Sequence, residues 1–232
     1  MNPQEAKQLM SKYLLPAIEK YGFTEKKARS SDFEFVRKTK SGLDFISGGF
    51  TNYNPVQRIV YGLSKVNKTV NGILIQLQEK GMKFTPPVTA NTPLISMSYE
   101  RLHKLDFVGY LPDMQTEADV AHCVRLMLEY LENTALPDAD RFEDLREIDK
   151  IINGAEPWKT DWQATYVFGG YFHLTRLIIA KLAGGNNYER MLQIVSDDFR
   201  SQFDGPYGAG FRDTLDQVHK LHEILKSVQA IY

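Results

Sequence analysis

His219-x-x-His222-Glu223 is the best-spaced candidate for a metal ion in this sequence. Residues three apart share a helical face, so two imidazoles could hold one ion. A zinc site needs at least one further protein ligand, no other residue is marked for that role, and His222 lies beside an apolar stripe. No metal and no other cofactor is therefore expected. Asp138, Asp140 and Asp144 resemble the spacing of a calcium loop, but the loop glycine and the terminal bidentate glutamate are missing from their places. Asp140 with Glu143 reads better as the capping box of a short helix through Ile152. Cys123, the only cysteine, falls on the apolar side of its helix, which suits a small core residue. His122 diverges from it by about 100° around a helix, so the two do not make a nucleophile and base.

A phosphate-binding loop needs glycines ahead of a helix N-terminus. Gly48-Gly49 falls in a strand pattern, Gly169-Gly170 in a helical one, and Gly184-Gly185 closes one helix before the next. No Gly-x-Ser-x-Gly elbow occurs. Caps, turns and solvated faces account for the polar side chains, which favours a non-enzymatic chain. A site assembled in space from carboxylates and histidines stays open as the alternative.

Charge is unevenly spread. Of 28 Lys+Arg and 29 Asp+Glu, the first 110 residues hold 16 basic and 9 acidic side chains, and the remainder 12 and 20. Such polarity either draws the two halves together or presents a charged face to a partner. Asp138, Asp140, Glu143 and Asp144 form the candidate contact patch for a protein with a basic surface. In the basic half, Phe33, Phe35, Phe45, Phe50 and Tyr53 are interleaved with Lys26, Lys27, Arg29, Arg37, Lys38 and Lys40, as in sheets that stack on bases. The pI near 6.5 counts against nucleic acid, as does the option that alternate aromatics face a core.

The elements that must position these residues can be read from periodicity. Asn2 caps and Pro3 starts a helix with an apolar stripe from Ala6 to Tyr21; Pro16 should kink or split it, and Gly22 ends it. Residues 32–38, 43–51 and 56–65 alternate as strands, with a bulge expected at Gly48-Gly49 and turns at Ser41-Gly42 and Asn52–Pro55. Val66 to Leu77 fits a helix better than a strand, ending at Gly81. Residues 94–102 read as a fourth strand. After Pro112 everything reads as helical. Thr116 caps a helix that stops before Pro137. Thr160 with Gln163, and Asn186 with Glu189, form capping boxes for two more, and a last helix carries Phe211 to Val228. The expected class is α+β: an N-terminal helix and antiparallel meander over 1–110, packed with about five helices over 111–232.

Three stretches carry a resemblance. Leu14 to Phe23, Tyr61-Gly62-Leu63 followed by Val66 to Leu77, and Arg176 to Leu192 resemble the opening helix, strand-to-helix step and late helical part of uncharacterised bacterial domain-of-unknown-function families. Similar small bacterial proteins include toxin-neutralising immunity proteins, which implies a binding role in which an acidic face blocks a basic toxin. The resemblance maps no functional residue. One cysteine excludes an intrachain disulfide and suits a reducing compartment. The opening Met1-Asn2-Pro3-Gln4-Glu5 does not read as a cleaved signal peptide. The most apolar stretch, Tyr166 to Ala183, includes His173, Arg176 and Lys181, which would be costly in mid-bilayer, so it reads as a core helix. A cytoplasmic protein away from membranes is expected.

Overall fold

The computed structural model describes residues 1–26, 33–53, 56–98, 112–154, 166–168 and 171–232. Several expectations lie outside these residues: the Asn54-Pro55 half of its turn, the end of the 94–102 strand, the Thr160–Gln163 capping box and Gly169-Gly170. The chain is α+β. Its elements fall into two compact units.

The first unit opens with α1 (Pro3–Ile18). Asn2 accepts from the Glu5 N–H at 2.9 Å, and the Glu5 carboxylate accepts from the Asn2 N–H at 3.0 Å. Two of the helix's orphan N-terminal donors are thereby satisfied. Pro16 does not split α1, which runs on to Ile18, tightens into a 3-10 turn over Glu19–Tyr21 and stops at Gly22 with φ 84°. Six strands follow in sheet order: β1 (Thr24–Lys26), β2 (Phe33–Lys38), β3 (Gly42–Asn52), β4 (Gln57–Asn67), β5 (Ile95–Ser98) and β6 (Tyr166–Phe168). Every neighbouring pair is antiparallel. Register places Phe33, Phe35, Ile46, Ile59, Tyr61, Leu63 and Met97 on one buried face.

α3 (Glu117–Tyr130) meets that face. The Tyr61 hydroxyl donates to the Met127 carbonyl at 3.3 Å, and its ring meets Tyr130 edge-on at 5.5 Å. Thr116 and Asp119 cap α3 as expected. Beside it, Lys12 and Tyr13 of α1 converge on Glu117, and Lys20 and Tyr21 converge on Glu132. Helix does not stop before Pro137. A π turn over Leu131–Ala135 leads into α4 (Leu136–Arg141), so the helical path runs on through Pro137.

The expected bulge at Gly48-Gly49 is absent, since Gly48 pairs with Tyr61 and Gly49 with Val60 in unbroken register. Gly48 serves packing instead. A Cβ there would run into the Phe33 ring and come within 2.7 Å of the Val60 carbonyl. Gly48→Val should therefore lower stability by roughly 1–3 kcal/mol, as overpacking does. A lower urea midpoint at unchanged slope would show it.

The second unit holds α2 (Lys68–Glu79), α5 (Leu145–Ile152), α6 (Phe172–Leu182), α7 (Asn187–Ser201) and α8 (Gly208–Leu225). Val70, Ile73, Leu74 and Leu77 form the buried stripe of α2, which ends at Gly81 with φ 89°. Asn71, nearly fully buried, ties α2 to the following loop by donating to the Thr92 carbonyl at 2.8 Å. α6 is buried on almost every side. It is shorter than expected. Tyr166–Phe168 is a strand, and Tyr171 takes a left-handed φ of 72° just ahead of α6. The Asn186–Glu189 capping box does not form, because Asn186 makes no side-chain cap bond.

Candidate functional site

Strand register builds the main polar cluster of the first unit. Arg37 lies opposite Asp44, and Asp44 opposite Lys65, so three charged residues sit in a row across β2, β3 and β4. Asp44 and Lys65 are fully buried. Arg37 Nε donates to Asp44 Oδ2 at 2.8 Å, and Lys65 Nζ to Asp44 Oδ1 at 3.2 Å. Two of the acids from the expected patch complete the cluster. Glu143 accepts from Lys65 Nζ, from the Ser41 N–H at 2.8 Å and from the Ser41 hydroxyl at 3.1 Å. Asp140 accepts from the Arg37 guanidinium. Burial works to raise the pKa of Glu143, but its bond and attraction to Lys65, together with the bonds from the Ser41 N–H and Thr39, hold it below the ordinary value.

This corrects the reading of Asp140 and Glu143 as a capping box. Asp144 caps α5 instead, accepting from the Arg146 N–H at 2.9 Å. Asp140 and Glu143 are drawn to Arg37 and Lys65 because a buried ammonium or guanidinium without a carboxylate would be far costlier than an uncapped turn. Asp138 is engaged as well. It accepts from the Tyr166 hydroxyl at 2.8 Å and pairs with Arg141 at 3.0 Å. Burial, then Asp138, push the Tyr166 phenol up to about 12. Asp144 is held below the ordinary carboxylate range by Arg146. Asp138, Asp140 and Glu143 are thus brought together in one unit, each on a cation of its own chain. Asp140 stays the most open, its side chain 67% exposed.

The second unit has a cluster of its own around Arg176 of α6, which is 1% exposed. Arg176 Nε donates to Asn153 Oδ1 at 3.0 Å, and its guanidinium also donates to the Ile152 carbonyl. It thereby closes the C-terminal end of α5, where orphan carbonyls need donors. Asn153 Nδ2 donates to Asp149 at 2.8 Å and to the Arg176 carbonyl at 2.9 Å. Burial lowers the Arg176 pKa to about 10. His173 lies edge-on to Phe199 at 4.9 Å, and burial, followed by Arg176, pushes it below the ordinary histidine value.

The remaining candidates are placed as follows. His222 Nδ1 shares a hydrogen bond with the Tyr188 hydroxyl at 2.8 Å, while His219 is exposed. Among the described residues, no group of three or more His, Cys, Asp or Glu could hold a metal ion. Cys123 is buried, and its thiol is pushed up to about 12 by burial and then by Asp119 and Asp113. At neutral pH it is a thiol, not a nucleophilic thiolate. His122 points elsewhere, to Arg125 at 3.0 Å. On the sheet, Phe33 and Phe35 face the core, Lys26 stands over the Phe45 ring, and Arg58 stands over the half-exposed Tyr53 ring. Among the described residues, no helix is long and apolar enough to cross a membrane.

Sequence reasoning missed Asp44, Lys65 and Arg176 as buried charges, and Arg37 as the partly buried neighbour of Asp44. For Lys65 a signal was present, because it continues the inward phase of Ile59, Tyr61 and Leu63. No protein-family model, curated protein or solved structure matches this chain.

Proposed function

We propose that this chain is a protein-binding protein, of the kind that blocks a basic partner, and that Asp140 leads the contact. The supporting observation is the state of its surface carboxylate. Asp140 is two-thirds exposed, yet it is fixed by Arg37, which is itself anchored on buried Asp44. The surrounding cluster sets Asp44, Asp138, Asp140 and Glu143 against Arg37, Lys65 and Arg141, leaving one negative charge in excess. A rigidly held charge at a surface loses little conformational freedom on binding, and a basic partner would be steered to it. The chemistry of the cluster fits this role, since its charges are held in ion pairs and not poised to react.

The reading is tested with a photo-crosslinking side chain at Arg141, expressed in the cells of origin. Cross-linked proteins are identified by mass spectrometry, with Asp140→Arg as the comparison and Glu129→Arg as a charge control. The expected result is one dominant partner with a basic surface, captured about tenfold less by D140R, as for a charge at an interface rim, and unchanged in E129R. Equal capture of that partner by D140R and wild type would overturn the assignment.

A further inference from the structure

In the second unit, the segment after α8 doubles back over the end of α6. The Ile231 N–H donates to the Leu182 carbonyl at 2.9 Å, a backbone bond of the type an added strand makes. The Leu145 N–H donates to the Tyr232 hydroxyl at 3.2 Å, and the Arg146 guanidinium stands over the Tyr232 ring at 4.5 Å. Gly184 makes room for this path. A Cβ on it would come within 2.6 Å of the Tyr232 carbonyl oxygen and 3.1 Å of the Ala230 methyl. Alongside runs a groove of about 590 Å³ flanked by Lys181, Tyr188 and Glu189. The docked segment is only half covered, with Ile231 52% and Tyr232 45% exposed.

We infer that Leu145, Arg146, Leu182 and Gly184 form a recognition seat for an extended aliphatic–aromatic peptide. It is filled within the chain by Ala230-Ile231-Tyr232 and is exchangeable with the same segment of a second copy. The seat recognises backbone through the Leu182 carbonyl, an aromatic hydroxyl through the Leu145 N–H and the ring that carries it through Arg146. The segment that best matches those groups is the one already docked on them. Its hold is slight, and the tether's high effective concentration keeps it in place. Weakening the tethered copy should therefore open the seat to an untethered one.

The test uses the full chain and a fluorescent, C-terminally amidated peptide spanning residues 226–232. By fluorescence anisotropy, Tyr232→Ala should bind the peptide at least about tenfold more tightly than wild type does, since the tethered competitor is weakened. Adding Arg146→Ala to that variant should abolish binding, as should replacing the tyrosine of the peptide by alanine. Equal affinity for Y232A and wild type, or no saturable binding to Y232A at ~1 mM peptide, overturns the inference. Should Y232A differ from wild type in its circular dichroism, Ile231→Pro, which removes the N–H donated to Leu182, takes its place under the same criteria.

Discussion

Lys65→Met should cost about 3–5 kcal/mol, because it strands Asp44 and Glu143 as partly or wholly buried carboxylates without their ammonium. In a chain of this length that corresponds to a fall in Tm of roughly 10–15 °C. The loss comes from the two acids left short of a cation, Asp44 with Arg37 and Glu143 with the Ser41 donors, more than from the pair's own net worth. Replacing the acids at the same time should therefore restore much of the loss: the triple variant K65M/D44N/E143Q should regain at least about half of it. Thermal melts of the four proteins (wild type, K65M, D44N/E143Q and the triple) check this as a cycle. A K65M protein that melts within a degree or two of wild type would show that Lys65 is not the keystone of the sheet cluster.

Arg176→Met should be nearly as severe. The buried guanidinium reaches from α6 to α5 and closes its carbonyl end through Ile152 and Asn153. Methionine keeps most of the volume but leaves the Ile152 carbonyl and Asn153 Oδ1 buried without that donor, at about 1–3 kcal/mol each. Arg176→Lys should rescue only part of the loss, because a single ammonium cannot reproduce the planar fork. A second readout separates this from general loosening. Arg176 is one of the two causes that depress the His173 pKa, so its removal should raise that pKa in the folded protein, measured by titrating the imidazole Cε1–H resonance. An unmoved His173 titration would place the Arg176 charge elsewhere than beside the ring.

These two residues also show how far the sequence could be read. Period-two alternation gave three of the strands and the inward phase of Ile59, Tyr61 and Leu63, and the same phase carries Lys65 inward. The longer helical stripe separated α2 from a strand correctly. What local spacing could not supply was the partner of each buried charge. Glu143 lies 78 positions beyond Lys65, and Asn153 lies 23 before Arg176. For Asp140 and Glu143, local spacing actively misled. Their three-residue offset fits a helix cap, but the need of Lys65 and Arg37 for carboxylates took them, and Asp144 took the cap. Tyr166–Phe168 reads as part of a helix, because three residues are too few to display a period of two beside a strongly apolar helix. The glycine pair in β3 reads as a bulge, since a missing side chain gives no hint that a ring from β2 fills the place of the one at Gly48.

The interleaving of the two units along the chain bears on how the protein is made. The sheet unit takes α1 and four strands from the first 67 residues, then needs β5, α3 and α4, and receives its edge strand only at 166–168. The helical unit in turn combines α2 with helices that end at 225. On a ribosome, the β2–β3–β4 hairpins can form early from local contacts, but the apolar face carrying Phe35, Ile46 and Leu63 lacks the cover of α3 until residues 117–130 have emerged. Between the synthesis of β4 and that of α3 the nascent chain therefore carries an unfinished apolar sheet, the kind of species that is prone to aggregate.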